Sequence, residues 1–334
     1  AITGSNGKTT TKELLNTVLS KKYQTIANHG NFNNHIGVPL TLLSMDEQTE
    51  FGIVEMGANH HHEIEFLCKI VLPDYGYITN FGKAHLEGFG SIEGVITAKS
   101  ELYDHLIKYK KLIFLNLDYE VQNKKHLYRH IFSFGMHRNA HVKVTYPVSG
   151  SYAEVKFNQT EFKSQLIGSF NSVNIAAALC IGLYFKVPFK DIETAIKNYK
   201  PNNNRSQIIE KGSNTIIMDA YNANPTSMIA AIKNFAEVTT DQKKLLILGD
   251  MFELGESTST EHQVIINLLK NTNFSQAFLV GEHFNRTHTD SPSILKFQSF
   301  KTLKEHLKEI PIKDSYVLIK GSRGMALERL LEDI

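Results

Sequence analysis

The chain has 334 residues, enough for two domains of ordinary size, each with its own core. Its residues are 42% hydrophobic and 21% charged, which excludes a disordered chain, and a formal net charge of +2 leaves no electrostatic footprint for nucleic acid or an anionic membrane. Two cysteines, Cys68 and Cys180, lie in apolar helical patterns and read as reduced core residues, which places the chain in the cytoplasm.

The sequence opens on Thr3, Gly4, Ser5, Asn6, Gly7, Lys8, Thr9 and Thr10, a turn of small residues running into an amphipathic helix marked by Leu14, Leu15, Val18 and Leu19. This is the chemistry of a phosphate cradle. Glycines let backbone N–H groups approach a polyphosphate, the helix start adds positive potential, Lys8 reaches the outer phosphates, and Thr9 can ligate Mg²⁺. The full Walker pattern wants a glycine five residues before Gly7, where Ile2 stands. A Gly-Asn turn capping an ordinary helix is the plainer alternative. A loop of this kind normally follows a buried strand, and only Ala1 and Ile2 precede it, so an upstream part is expected to be missing.

Next comes a polar loop, Asn31-Phe32-Asn33-Asn34-His35-Ile36-Gly37-Val38-Pro39. Its asparagines suit either turns and caps or contacts to a substrate. Residues 51–57 read as a buried strand ending in Glu55 and Gly57. A carboxylate at the carboxyl end of a strand is suited to Mg²⁺ beside the phosphate loop, or is a solvated strand-end charge. His60, His61 and His62 are adjacent, and adjacent residues rarely point at one metal, so no zinc site is read there. Residues 74–80 form another strand, followed by a glycine-rich loop carrying His85 and Glu87. A helix over 92–106 holds Lys99, read alone as a helical lysine paired with a carboxylate one turn away.

Strands over 112–115 and 130–134 continue the βα alternation, and alternating residues within 140–170 predict antiparallel strands on the flank of the sheet. A small-residue helix follows, capped by Asn171 or Ser172. Asn171 and Asn174 share its face, suited to reading an adenine edge or to capping alone. Its apolar run, 175–185, is too short to span a bilayer. A short helix over 191–199 leads to Pro201-Asn202-Asn203-Asn204-Arg205, the expected boundary between domains 1–200 and 201–334. The second domain reads as βαβ, with strands over 215–218, 244–248, 277–280 and 316–319 and helices such as 227–238 and 261–269. The fold class is therefore α/β: a mostly parallel sheet carrying the phosphate loop, then a Rossmann-like unit. The latter lacks Gly-x-Gly-x-x-Gly, so no dinucleotide site is read. Its strand ends carry Asp219-Ala220-Tyr221-Asn222-Ala223-Asn224-Pro225, Gly249-Asp250-Met251-Phe252-Glu253-Leu254-Gly255 and Lys320-Gly321-Ser322-Arg323-Gly324. Lys320, Ser322 and Arg323 open a final helix over 325–331, an arrangement that favours a carboxylate, or else caps the helix with solvated charges.

Taken together, these stretches resemble the Mur ligases, ATP-dependent amide-forming enzymes of peptidoglycan synthesis. The likeness runs from the phosphate loop to Gly324. The stretches 219–225 and 248–255, with Asn33-Asn34-His35-Ile36-Gly37-Val38-Pro39 and Glu55-Met56-Gly57-Ala58-Asn59, are similar to the branch that adds D-alanyl-D-alanine to UDP-N-acetylmuramoyl-tripeptide. The resemblance implies ATP and Mg²⁺ as cofactors and a monomer as the working unit. Gly4, Ser5, Asn6, Gly7, Lys8, Thr9 and Thr10 would hold the ATP phosphates, with Asn171 and Asn174 on the adenine side. Arg205 would reach phosphate and Asp219 the ribose. Thr9, Glu55, His85 and Lys99 would surround the metal, Lys99 matching a lysine that the family commonly carbamylates. Asn33, Asn34, Tyr221, Asn222, Asn224, Lys320, Ser322 and Arg323 would face the peptide substrates. Lys8, Lys99, His85 and Arg205 form the catalytic set.

Two local departures are Ser100 and His62, each where the family has glycine. The family's amino-terminal domain, which grips the UDP end of the substrate, has no counterpart in the sequence given. Two competing readings are a sister amide ligase resembling folylpolyglutamate synthase and a nucleotide-binding protein without turnover.

Overall fold

The structure, a computed structural model, describes all residues except 126, 148–151 and 202. Asn202 of the expected boundary, and the stretch 148–151 within the expected antiparallel region, lie outside the described residues. The chain divides into two compact units. One comprises Ala1–Gly82, Gly88–Gln165 and Ser169–Tyr199; the other comprises Lys83–Glu87, Leu166–Gly168 and Lys200–Ile334.

In the first unit, β1 (Ile2–Thr3) is only two residues long but wholly buried. A separate parallel pair is formed by β2 (Thr25–Ala27) and β3 (Phe51–Ile53). The main sheet continues with β4 (Tyr75–Ile78), β5 (Leu112–Asn116), β6 (Ile131–Gly135), β7 (Val142–Thr145), β8 (Tyr152–Phe157) and β9 (Thr160–Ile167), in the order β1-β4-β5-β6-β7-β8-β9. Pairing is parallel from β1 through β7 and antiparallel between β7 and β8, as alternation within 140–170 predicts.

The strand expected over 51–57 stops at Ile53. Beyond it the chain moves beside β1: Ile2 N–H donates to Val54 O at 2.9 Å, and Met56 N–H to Ile2 O at 2.8 Å. Thus β1 runs between β4 and Glu55, which forms a parallel bridge with Ile2. This puts Glu55 beside β1, next to the loop that follows it.

The helix Phe170–Tyr184 is apolar on every side and accordingly buried, with Ala176, Ala177 and Ala178 fully covered. Its Gly182 admits the first helix, Lys8–Leu19, closely: a Cβ there would stand 2.7 Å from a methyl of Val18. Neither Asn171 nor Ser172 caps this helix. Ser169 holds the cap position, and Asn171 and Asn174, in its first turns, are buried.

The second unit has strands β10 (Gln207–Lys211), β11 (Asn214–Asp219), β12 (Lys243–Gly249), β13 (Gln276–Val280), β14 (Ile294–Phe297) and β15 (Ser315–Lys320), in the order β10-β11-β15-β12-β13-β14. All neighbours are parallel except the β10–β11 hairpin. Both faces are covered, which explains the near-continuous apolar runs in β12 and β15. Leu246, Leu248 and Leu318 pack with Met228, Ile232 and Ile265 on one face. Ile247, Val317 and Ile319 pack with Leu303, Leu307 and Leu330 on the other.

The final helix expected over 325–331 is not α-helical. It is two 3₁₀ turns, Arg323–Met325 and Leu327–Glu332, separated by Ala326 at φ 47°. Leu327 and Leu330, both buried, are three residues apart, the spacing that a 3₁₀ turn places on one face.

Candidate functional site

The loop after β1 is braced by the end of β4. Asn6 N–H donates to Asn80 Oδ1 at 3.0 Å, Asn80 Nδ2 returns a bond to Asn6 O at 3.0 Å, and Thr79 Oγ1 donates to the same carbonyl at 2.5 Å. Ser5 Oγ donates to Gly82 O at 2.9 Å. Gly4 (φ 137°) and Gly7 (φ 79°) hold backbone conformations that side chains rarely adopt. Lys8 is half-buried, its Nζ donating to Gly4 O at 2.7 Å and Ser5 O at 3.2 Å. The ammonium thus lies over the concavity of its own loop. Thr9 is buried and its Oγ1 has no hydrogen-bond partner; Thr10 is half-buried beside it.

Asn174 supports this loop from below. A Cβ on Gly7 would stand 2.6 Å from Asn174 Oδ1. That oxygen accepts from Thr11 Oγ1 at 3.2 Å, while Asn174 Nδ2 donates to Asn171 Oδ1 at 2.8 Å. The two amides expected on one helix face are indeed adjacent, but they are buried and joined to each other.

Glu55 is 1% exposed, yet its two oxygens are treated differently. Asn33 Nδ2 donates to Oε1 at 2.8 Å, whereas Oε2 has no hydrogen-bond partner and lies 4.0 Å from Lys12 Nζ. Asn28 clamps the Glu55 backbone, accepting from its N–H at 2.5 Å and donating to its carbonyl at 3.1 Å. Asn34 instead shapes a turn, accepting from Ile36 and Gly37 N–H at 3.1 and 2.9 Å. Thr9 Oγ1 and Glu55 Oε2 are buried oxygens lacking hydrogen-bond partners, the donor type Mg²⁺ prefers. Among the described residues no cluster of three or more His, Cys, Asp or Glu could hold a metal.

Lys99 is fully buried. Its Nζ donates to Ala58 O at 2.9 Å and lies 5.0 Å from the Phe89 ring centroid. Burial, and after it repulsion from Lys8, hold its pKa well below the ordinary lysine value, against the opposing pull of Glu63 and Glu101. Glu101 is not its ion-pair partner. That carboxylate accepts from His62 and Glu65 N–H at 2.8 and 2.9 Å, serving the start of the helix Glu63–Val71.

In the second unit, the carboxyl ends of β11, β15 and β12 are neighbours, with Lys320 opposite both Asp219 and Leu248. Lys320 is buried and donates to Asp219 Oδ2 at 2.5 Å and to Asn222 O at 3.3 Å; Asp219 Oδ1 accepts from Ser206 N–H at 3.1 Å. The Arg205 guanidinium lies 3.7 Å over the Tyr221 ring, and Arg323 is 6.0 Å from the same centroid. Arg205 Nε is buried without a hydrogen-bond partner. Arg323 pairs with Glu328 at 2.6 Å, and Ser322 Oγ accepts from Phe252 N–H at 2.9 Å. Asn224 is the N-cap of the helix Pro225–Glu237 in a capping box with Ser227. His85, at φ 53°, presents Nδ1 to the carboxylate of Glu253.

Lys12, Asn28, Thr79 and Asn80 join the site only in the structure. Lys12 had a signal, lying one helical turn after Lys8 on the same helix. The other three are joined to the loop or to Glu55 only through long-range pairing, for which the sequence carries no local sign.

Residues 2–182 match the Mur ligase middle domain, and residues 204–323 match the domain described as Mur ligase, glutamate ligase domain. The chain is 34% identical over 341 residues to UDP-N-acetylmuramoyl-tripeptide–D-alanyl-D-alanine ligase of Bacillus subtilis (strain 168), covering 100% of this chain and 75% of that protein. The enzyme of that name from Escherichia coli (strain K12) is 30% identical, with 99% and 75% covered. Among solved structures, MurF from Acinetobacter baumannii superposes with a TM-score of 0.87 at 30% identity, covering 99% of this chain and 75% of that one. MurF ligase from Thermotoga maritima in complex with ADP gives 0.84 at 28% identity, with 99% and 78% covered.

Proposed function

The chain belongs to the Mur ligase family, and from that premise we propose that it joins D-alanyl-D-alanine to UDP-N-acetylmuramoyl-tripeptide, converting ATP to ADP and phosphate. The substrate pair is the one named for its relatives, and a nucleotide accompanies one of the similar structures. The observation that carries the reading is the carboxyl end of β1. A phosphate loop there stands beside a buried carboxylate with one oxygen hydrogen-bonded and one without a hydrogen-bond partner.

A peptide carboxylate does not react with an amine at neutral pH. An oxygen of the tripeptide carboxylate attacks the γ-phosphorus and ADP departs, leaving an acyl phosphate. The amine of D-alanyl-D-alanine then attacks the acyl carbon, and phosphate leaves as the amide forms. The first step brings anion against anion. Lys8, released from the carbonyls of Gly4 and Ser5, supplies positive charge to the phosphates. In the second unit, Arg205, stacked over the Tyr221 ring, is a cation suited to a phosphate oxygen. Magnesium, when bound, would neutralise further phosphate charge, held by Thr9 Oγ1 and Glu55 Oε2. A carbamylated Lys99 would be a further oxygen ligand for it. A free α-amino group titrates near pH ~8, so the attacking amine needs only modest help to lose its proton. Lys320, Ser322 and Arg323 form the edge that receives the carboxylate of the incoming dipeptide. The working unit in this reading is a cytoplasmic monomer. Separately, no helix among the described residues is long and apolar enough to cross a membrane.

The test is phosphate release from ATP with UDP-N-acetylmuramoyl-tripeptide and either D-alanyl-D-alanine or glutamate as the amine. Release that depends on D-alanyl-D-alanine supports the reading. Release that depends on glutamate would assign the chain to a sister amide ligase.

A further inference from the structure

Lys12 is a long cationic side chain that is 2% exposed, in a helix whose other inward residues are threonine or apolar. A buried ammonium is costly unless it is bonded and faces an anion. Here it has both. Its Nζ donates to Asn28 O at 2.7 Å and Gly30 O at 3.3 Å, and it faces Glu55 Oε2 at 4.0 Å. The turn it holds is the one that grips Glu55. Asn28 brackets the Glu55 backbone and also donates to Phe32 O at 2.7 Å; Asn33, from the same loop, takes Oε1.

We propose that Lys12 is a positioning residue for Glu55: by tying the 28–30 turn to the phosphate-loop helix it fixes the carboxylate with Oε1 bonded and Oε2 left for a divalent cation. The inference rests on Glu55 being the metal-side carboxylate of the proposed function. Two effects of opposite sign meet at Lys12. As a cation near Oε2 it opposes a metal by simple repulsion; as a tether it pre-forms the site. The bonding pattern decides for the tether. The short bonds of Nζ go to backbone carbonyls, and the carboxylate oxygen stands a full 4.0 Å away.

The test is Mn²⁺ binding in the presence of saturating ADP, followed by electron paramagnetic resonance of the free ion, with thermal melting of each variant as a control. Lys12→Met is expected to weaken Mn²⁺ about 10-fold or more, the range seen when outer supports of metal ligands are removed. Asn28→Ala, which leaves the charge untouched, is expected to weaken it in the same direction and serves if Lys12→Met fails to fold. In a Glu55→Gln background, itself weakened, neither change should add anything. Tighter or unchanged Mn²⁺ binding in Lys12→Met, or a loss that persists undiminished in the Glu55→Gln background, would overturn the proposal while leaving Glu55 as a ligand. Unchanged binding in Glu55→Gln alone would overturn both.

Discussion

Gly7 and Asn174, 167 positions apart in the chain, meet so closely that a methyl on Gly7 would lie 2.6 Å from the amide oxygen of Asn174. The loop that reads most plainly in the sequence is therefore shaped by a residue far beyond its reach. Gly7→Ala faces two costs at once, a left-handed backbone and this overlap. The backbone alone costs roughly 1–2 kcal/mol. The expected outcome is a lower melting temperature together with loss of measurable ADP binding, read by differential scanning fluorimetry and calorimetry. Asn174→Gly in the Gly7→Ala background should recover part of both.

Lys8→Ala should separate fold from function. The side chain is half-buried and bonds to carbonyls of its own loop, so no apolar core loses volume. Stability should stay within about 1 kcal/mol, while kcat should fall by roughly 10²–10³ or more, the loss expected when a charge on the transferred phosphoryl group is removed. Phosphate release at the wild-type rate would contradict the role assigned to it.

Lys99 offers a pH test. Its pKa is depressed chiefly by burial, so the folded chain binds fewer protons there than the unfolded chain. Stability from this group is then present above the ordinary lysine value and is lost as pH falls through it. In CO₂-free buffer, Lys99→Met should melt higher than the parent at pH 7, and the difference should shrink towards pH ~10.4. The same depression supplies the neutral amine that reacts with CO₂ to give a carbamate and a proton. Lys99→Ala should lose activity and regain part of it with added acetate or formate. Lys99→Arg should not be rescued, and full activity in that variant would contradict the carbamate.

The fold was legible where local chemistry dictates it. Gly4, Gly7 and Lys8 announce a phosphate loop by residue type, and the apolar runs 244–248 and 316–319 announce strands buried on both faces. The site was less legible because its selectivity lies in pairings across the chain. Glu55 is recognisable as a strand-end carboxylate, but that one oxygen is held by Asn33 and the other faces Lys12 follows only from the placement of the 28–33 loop. Helical spacing marks Asn171 and Asn174 as a matched pair, but it does not say that they bond to each other or that Asn174 accepts from Thr11. At the far end, Met325, Leu327 and Leu330 suggest a helix, whereas Ala326 in a left-handed conformation divides it into two 3₁₀ turns.

An acyl phosphate of the tripeptide leaves its mark in the transfer of oxygen from carboxylate to phosphate. UDP-N-acetylmuramoyl-tripeptide labelled with ¹⁸O in both oxygens of its reacting carboxylate is turned over with ATP and D-alanyl-D-alanine, and the released phosphate is read by mass spectrometry. One ¹⁸O is expected in each phosphate and one in the new amide. Phosphate released without label while the amide forms would contradict the acyl phosphate.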